Sequence, residues 1–467
     1  MSYPGTWTAQ SVLWLFFPSD ITRVFKLDGV DNVGTATRLA LALLLGAYLL
    51  QLISPLRLDT DVIAYLSKAA SAADGQGFVF KGPHSVLPLG YPVVLAGMDR
   101  MGLGAAWAFM ALNILFLCFG LAASYLLLRR TFGLTDRVAA FLCGLTLLCY
   151  LFVKHVSLLK SDIPFFGLMM ACLLVLSWTE AREDGRRWYG AGAALLLGIA
   201  ALSIRTVGIA LLPAFLWACL PPGRRSWRPF TPDWKPSSRT MLPVVIGICL
   251  LVAGVAVLIR TPYLDLLTAH YEKWGGLNAL SYIFGFKMKE WGQLVVNVPA
   301  SMVPGALTRA LPFVGFLGFG LFLVGLWQRR SAFGAAEVFI LGYVVILFLW
   351  PGYAARLWLP VIPLLMGWIA LVLRPFARRA VLRRVMQVYL VWFVIAGCAA
   401  LVYSSRITLA GAAFPDRYGD GTLSPTYRAA FTGREDIEGV DEEALELLIR
   451  YERRVHPRFK RATLVPF

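Results

Sequence analysis

Apolar residues along this chain gather into long runs parted by short polar, mostly basic, stretches. The runs fall at 38–55, 105–128, 138–153, 163–180, 188–204, 206–220, 241–259, 310–328, 335–350, 357–373 and 386–404. A helix needs about 20 apolar residues to cross the hydrocarbon core of a bilayer, and several of these runs are a little shorter. The pattern predicts an all-α polytopic membrane protein of about eleven transmembrane helices. Ser11 to Phe17 is too short to span and reads as an interfacial stretch. The expected organisation is a cytoplasmic or interfacial segment over 1–37, a transmembrane domain over 38–404 and an extracytoplasmic tail over 405–467. Two outer loops, 56–104 and 260–309, are too long to be simple connectors, and long loops in compact assemblies are usually functional. In the tail, Asp441 to Arg454 reads as an amphipathic helix.

Charge gives the runs a direction. Basic clusters sit at Arg129, Arg130 and Arg137; at Arg182, Arg186 and Arg187; at Arg224, Arg225, Arg228, Lys235 and Arg239; at Arg329 and Arg330; and from Arg374 to Arg384. They fall in every second loop. Cytoplasmic loops carry the excess of Lys and Arg, so the N-terminus is expected inside and the tail outside. The net charge of +17 therefore reads as topology and affinity for anionic lipid, with no nucleic-acid partner.

Composition agrees. The chain is 58% hydrophobic and 15% charged, with a mean hydropathy of +0.67. A soluble domain carries about 25% charged residues, which excludes an ordinary soluble enzyme. All seven cysteines lie inside apolar runs, so neither a disulfide framework nor a thiolate metal site is expected. Met1 to Gln10 lacks a basic n-region, and the first apolar run is expected to remain as an anchor.

The first outer loop carries the most chemistry. Leu58-Asp59-Thr60-Asp61-Val62-Ile63-Ala64-Tyr65 places two carboxylates at the start of a predicted helix that runs to about Ala73. Gly75-Gln76-Gly77-Phe78, Lys81, His84 and Pro88-Leu89-Gly90-Tyr91-Pro92 follow. On local grounds Asp59, Thr60 or Asp61 is a natural N-cap. Three further segments stand out. Lys160-Ser161-Asp162-Ile163-Pro164 opens the fourth run, where Ser161 or Asp162 suits a cap and Pro164 a first turn. Gly198 to Gly208 contains Arg205, which interrupts an apolar stretch. An ionisable residue there marks a functional site or turns the chain outward and snorkels to headgroups. Arg356-Leu357-Trp358-Leu359-Pro360-Val361-Ile362-Pro363 opens a late run from the outer side.

Taken in order, these segments resemble the glycosyltransferase type C superfamily, which includes the protein O-mannosyltransferases and the aminoarabinose transferases of lipid A. In that pattern Asp61 takes the acidic position of the first outer loop and Tyr65 the tyrosine four residues on. Ala69 or Ala70 takes the alanine, Gly75 or Gly77 the glycine, and Pro88 to Pro92 the Pro-rich stretch. Asp162 matches a later acidic residue, Arg205 the arginine of a Gly-small-small-Leu-x-x-Arg-x-x-Gly corner, and Arg356 that of an Arg-x-x-x-Pro-x-x-Pro segment. Two departures are evident. Val62 stands where many members have a second acid, so the second carboxylate is either Asp59 or absent. Leu87 stands where the aminoarabinose type has a lysine, leaving Lys81 or His84 as substitutes.

The resemblance implies transfer of a sugar from a polyprenyl-phosphate carrier to a hydroxyl on a lipid, glycan or protein acceptor at the extracytoplasmic face. The expected setting is the inner membrane of a bacterium, with the active site facing the periplasm. An outer carboxylate would take the acceptor's proton, with Asp61, Asp59 and Asp162 as candidates. Cations would hold the donor phosphate, with Arg205, Arg356, Lys81 and His84 as candidates. Tyr65 and Tyr91 are candidate contacts to acceptor or sugar. Arg205 and Arg356 are expected to converge on one outer cavity, and the i, i+4 register with Tyr65 favours Asp61 over Asp59 as the base. No cofactor is required. Asp59-Thr60-Asp61 has the form of a metal-binding pair, but a monophosphate donor has less need of a divalent metal. A transporter or flippase of lipid-linked sugars would share the spans and the outer arginines. It more often shows carboxylates or broken helices at mid-membrane. A non-catalytic scaffold would not need the acidic loop.

Overall fold

The computed structural model describes residues 35–80, 87–181, 187–220, 271–272, 279–410, 429, 432–433 and 442–462. Lys81, His84 and the apolar run at 241–259 lie outside the described residues. Those described are helical, with one isolated bridge pairing Arg57 and Leu158 in parallel. Six helices among them are long and apolar enough to cross a membrane, and a bent pair makes a seventh. Three shorter apolar stretches, Thr37–Ile53, Thr206–Cys219 and Ala335–Leu349, account for other expected runs. The chain is an all-helical integral membrane protein.

In chain order, α1 is Thr35–Leu49, α2 Thr60–Ala73, α3 Gly90–Met98 and α4 Ala106–Arg130. The bent pair is α5 Asp136–Leu148 and α6 Tyr150–Val156, followed by α7 Asp162–Glu180, α8 Arg187–Ile204 and α9 Leu211–Cys219. After the undescribed stretch come α10 Ala279–Val296, α11 Leu311–Gln328 and α12 Ala335–Leu349. Then come α13 Ile362–Leu373, α14 Ala380–Ala410 and α15 Glu442–Tyr451, and a short helix, Pro457–Ala462, follows.

Helix α7 is the hub, packed against α4, α8 and α9. Its approach to α4 depends on glycine. A Cβ at Gly167 would lie 2.7 Å from the Phe116 carbonyl oxygen, and one at Gly120 would strike the Phe166 ring. Small residues at such crossings let helix backbones come close where lipid supplies no hydrophobic drive for association.

Two expectations change. The run at 138–153 was expected to span as one helix, yet it bends by 60° at Cys149, whose backbone is extended. The backbone groups this break frees are taken by Asn297. Its Oδ1 accepts from Tyr150 N at 2.8 Å, and its Nδ2 donates to Leu148 O at 2.9 Å and Phe393 O at 3.0 Å. In a low-dielectric interior a helix breaks only where such partners exist. The outer loop over 260–309, expected to carry short helices, contains the 18-residue α10, packed face to face with α11. Charges at Lys287, Lys289 and Glu290 hide this helix from a hydropathy reading. Gly292 and Gly315 allow the contact, since a Cβ on either would collide with backbone of the partner helix.

The end of the chain returns to the first loop. Helix α15 packs on α2 and ends in Tyr451, 1% exposed, whose ring meets Phe109 edge-on at 5.2 Å. Arg450 donates twice to Asp74 at 2.8 Å and also to Asp99, which holds the Asp74 carboxyl below its usual range. Glu452 accepts from Leu56 N at 2.9 Å. Burial and exposure set the relative weight of these contacts. Tyr451→Ala is expected to cost about 3–5 kcal/mol, as for a buried aromatic, whereas Arg450→Ala, removing half-exposed pairs, costs about 1 kcal/mol or less. Thermal unfolding of the purified protein in detergent checks the order, and equal losses would refute it.

Candidate active site

Two short segments build the site by lying side by side. The bridge between Arg57 and Leu158 aligns residues 57–61 with 157–162. Arg57 is buried and fixes the alignment by donating to Ser157 Oγ and, at 2.8 Å, to Thr408 Oγ1. Beyond the bridge, Lys160 forms an ion pair with Asp59 and lies 3.8 Å from Asp61 Oδ2. Tyr65, one turn into α2 from Asp61, shares a 2.9 Å hydrogen bond with Ser161. Burial pushes the Tyr65 phenol up to about 12, so it stays protonated.

The two loop carboxylates differ in their commitments. Asp59 is the N-cap of α2, and its Oδ1 accepts from Val62 N at 3.0 Å while Oδ2 meets Lys160. Both oxygens are engaged. Asp61 lies in the first helical turn. Its Oδ2 pairs with Arg356 Nη1 at 2.5 Å and faces Lys160, and among the described residues its Oδ1 has neither hydrogen bond nor ion pair. Because Asp59 is extended rather than helical, both side chains turn toward Lys160.

A second ion pair lies deeper. Asp162, 1% exposed, pairs with Arg205, and Arg356 is within electrostatic reach of both. Although Ser161 precedes the helix, it makes no side-chain cap there. Its hydroxyl goes to Tyr65, and Asp162 turns to Arg205. Arg205 itself is extended at the break between α8 and the 3-10 turn Thr206–Ala210. Arg356 enters on a second 3-10 turn, Ala355–Val361, packed on α7.

The structure thus gathers Asp59, Asp61, Asp162, Tyr65, Arg205 and Arg356 around Lys160. Tyr91 stands behind this group. It is fully buried, edge-on to Tyr65 at 5.4 Å, and donates to Asn113 Oδ1 at 3.1 Å, so it packs behind Tyr65 and away from solvent. Asn113 in turn donates to Val156 O and Leu158 O, tying α4 to the 157–162 segment. The sequence reading gave no role to Lys160, nor to Lys154 and His155. Lys154 is exposed, yet within reach of Lys160, Asp59 and Arg356. Its place at the very end of the apolar run 138–153 was a usable signal.

As a metal site the Asp59-Thr60-Asp61 pair is compromised. The Lys160 ammonium sits against both carboxylates, where a bridging cation would bind. Among the described residues no three His, Cys, Asp or Glu side chains stand together as metal ligands.

The comparisons with known proteins agree with this architecture. A family model for dolichyl-phosphate-mannose-protein mannosyltransferases matches residues 87–246, about a third of the chain. That stretch contains Lys160, Asp162 and Arg205 and excludes Asp59, Asp61 and Arg356. Among solved structures, ArnT from Cupriavidus metallidurans bound to undecaprenyl phosphate is similar with a TM-score of 0.50 at 17% identity. The match covers 89% of this chain and 84% of that one. The same protein in its apo state gives a TM-score of 0.48 at 17% identity over the same shares. The archaeal oligosaccharyltransferase AglB from Archaeoglobus fulgidus, in complex with an inhibitory peptide and a dolichol-phosphate, gives 0.44 at 12% identity, over 88% of this chain and 60% of that one. No curated protein matches. The chain shares its fold with ArnT, and its motifs resemble those of the glycosyltransferase type C superfamily.

The buried ion pair makes a test of the geometry. Removing either Asp162 or Arg205 leaves an uncompensated buried charge, at a cost of about 3–5 kcal/mol. Asp162→Ala and Arg205→Ala are each expected to destabilise strongly, and the double variant by much less than the sum. Unfolding of the four proteins in detergent measures the coupling, and simple additivity would show that the pair does not form.

Proposed function

We propose that the chain is a membrane glycosyltransferase that moves a sugar from a polyprenyl-phosphate carrier to a hydroxyl acceptor, with Asp61 as general base. The observation that carries this reading is the asymmetry at Asp61. One oxygen is held by Arg356, and the other has no partner among the described residues and can accept a proton. An acceptor hydroxyl is a poor nucleophile until a carboxylate within hydrogen-bond reach takes its proton. As the acceptor oxygen bonds to the anomeric carbon, the bond from that carbon to the phosphate oxygen breaks. The acceptor's proton goes to Asp61, and the phosphate leaves on its carrier with the electron pair. The leaving group is already anionic and needs cations more than a proton. Arg356 and Arg205 supply planar forks of donors for it, and Lys154 adds charge at the opening.

The ion pair between Arg356 and Asp61 orients the base. It also gives the incoming phosphate a partner to displace. Asp162 keeps Arg205 in place and does not reach the opening itself. The fold neighbour ArnT is described with undecaprenyl phosphate bound, which supports a carrier of that chemistry. The sidedness of the basic clusters supports an inside N-terminus, about eleven spans and a site on the extracytoplasmic face of a bacterial inner membrane. A flippase of lipid-linked sugars would have no use for a half-free carboxylate beside a cation cluster.

Asp61→Asn is expected to lower transfer from an undecaprenyl-phosphate sugar by about 10²–10⁴, with protein levels unchanged. Asp59→Asn, which keeps a capping oxygen, should lose less. Full activity of Asp61→Asn beside an inactive Asp59→Asn would move the base two residues upstream.

The same reading makes Lys160 the built-in cation of the acidic pair. Transfer should survive exhaustive chelation of divalent metal, and Lys160→Ala should reduce it. Loss of activity on chelation, restored by added metal, would remove Lys160 from this role.

A further inference from the structure

Arg356 reaches the site on a stretch of chain that has little regular structure. Trp350 to Ala354 follows the end of α12 without helix, and the 3-10 turn begins only at Ala355. Such a stretch cannot hold an arginine in place by itself, because its backbone groups lack helical partners. Helix α10 supplies them.

Three residues spaced three apart on α10 face this stretch. Glu290, fully buried, accepts from Ala354 N at 2.6 Å and from Trp358 Nε1 at 2.8 Å, the residues two before and two after Arg356. Lys287, also fully buried, donates to Glu290 Oε1 at 3.1 Å and to Gly352 O at 2.9 Å. Gln293 donates to Tyr353 Oη at 2.5 Å and accepts from Ala300 N at 2.7 Å. The Trp358 indole is wedged edge-on against Trp291 at 5.2 Å, so it cannot turn away from the carboxylate.

A buried lysine–glutamate pair is a poor device for stability alone, since well-packed apolar residues of similar volume are often as good or better. What the pair provides is direction. It fixes two points that flank one side chain, and that side chain is Arg356.

We propose that Glu290, with Lys287 as its counter-charge, is a positioning residue that sets Arg356 over Asp61 and so shapes the donor-phosphate site. The inference rests on the glycosyltransferase reading of Arg356. It adds an electrostatic support, set back from the opening, on a helix that carries no residue of the site itself.

The test uses the full-length protein in detergent or nanodiscs, with an undecaprenyl-phosphate sugar as donor and undecaprenyl phosphate alone as the binding probe. Glu290→Gln keeps one acceptor oxygen and loses the other. Trp358→Phe keeps the ring packing and removes only the indole donor. Each should lower kcat/KM for the donor by about tenfold, the size expected when one buried group loses its partner. Each should weaken undecaprenyl-phosphate binding and leave the acceptor KM unchanged. Because the effect runs through Arg356, Glu290→Gln should add little in an Arg356→Ala background. A merely structural role would lower thermal stability while the two losses multiplied. Multiplying losses, or unchanged donor kinetics and unchanged lipid binding in Glu290→Gln and Trp358→Phe, would overturn the inference. If the wild-type protein binds undecaprenyl phosphate but transfers nothing, the transferase reading fails, and the binding comparison still decides the positioning role. If it neither transfers nor binds, both fail.

Discussion

An unpaired charge at the edge of a bilayer is costly, and the site obeys that constraint before any other. Three carboxylates, Asp59, Asp61 and Asp162, are matched by Lys160, Arg356 and Arg205. The matching depends on one alignment, the pairing of 57–61 with 157–162 that starts at the bridge between Arg57 and Leu158. Shift that pairing by one residue and Asp59 no longer meets Lys160. Tyr65 would lose Ser161 as well. Glu452, just past the end of α15, bears on the same alignment by holding Leu56 immediately before Arg57.

The site lies where helices stop being regular. Cys149, Arg205 and the stretch before Ala355 are all breaks in otherwise apolar elements, and backbone polar groups exposed there need partners inside the protein. Each break has its own. Asn297 serves the first, and Glu290 with Lys287 serves the third. Arg205 sits at the second, and its N–H still reaches back to Ala201 O at 2.9 Å, so the helix closes while its side chain turns to Asp162. A membrane protein can afford irregular backbone only where side chains complete it, and those same irregular places can aim a guanidinium or a carboxylate at a ligand.

How much of this was legible in the sequence follows from the same physics. Apolar runs announce spans, so α4, α7, α8, α12 and α13 fall close to where periodicity and length put them. A charge that interrupts such a run, as Arg205 does, is equally visible, whereas Asp61, Asp162 and Arg356 stand at the starts of segments and were singled out by the order of their motifs. Partnership is not visible. Lys160 stands next to Ser161 and Asp162 in the chain, but its ion pair with Asp59 exists only after two distant segments align. Helix α10 was hidden for the opposite reason. Its buried lysine and glutamate depress the hydropathy of a segment that is nonetheless packed, and its polar face reads as loop until residues 352–358 are seen against it. Tyr91 shows the limit of a motif, since it falls in the expected Pro-rich stretch yet acts behind Tyr65.

The charge balance also says what the site is prepared to receive. Among the described residues the paired acids and bases cancel, and Lys154 remains, an exposed side chain within reach of Asp59, Lys160 and Arg356. A neutral ligand would gain nothing from that surplus, and an anionic one would. On the proposed transferase reading, a monophosphate would share Arg356 with Asp61 without leaving the carboxylate bare, because Lys160 lies 3.8 Å from Asp61 Oδ2. Donor binding would then turn the proposed base toward the acceptor as it gripped the leaving group, a coupling that follows from one arginine serving two anions.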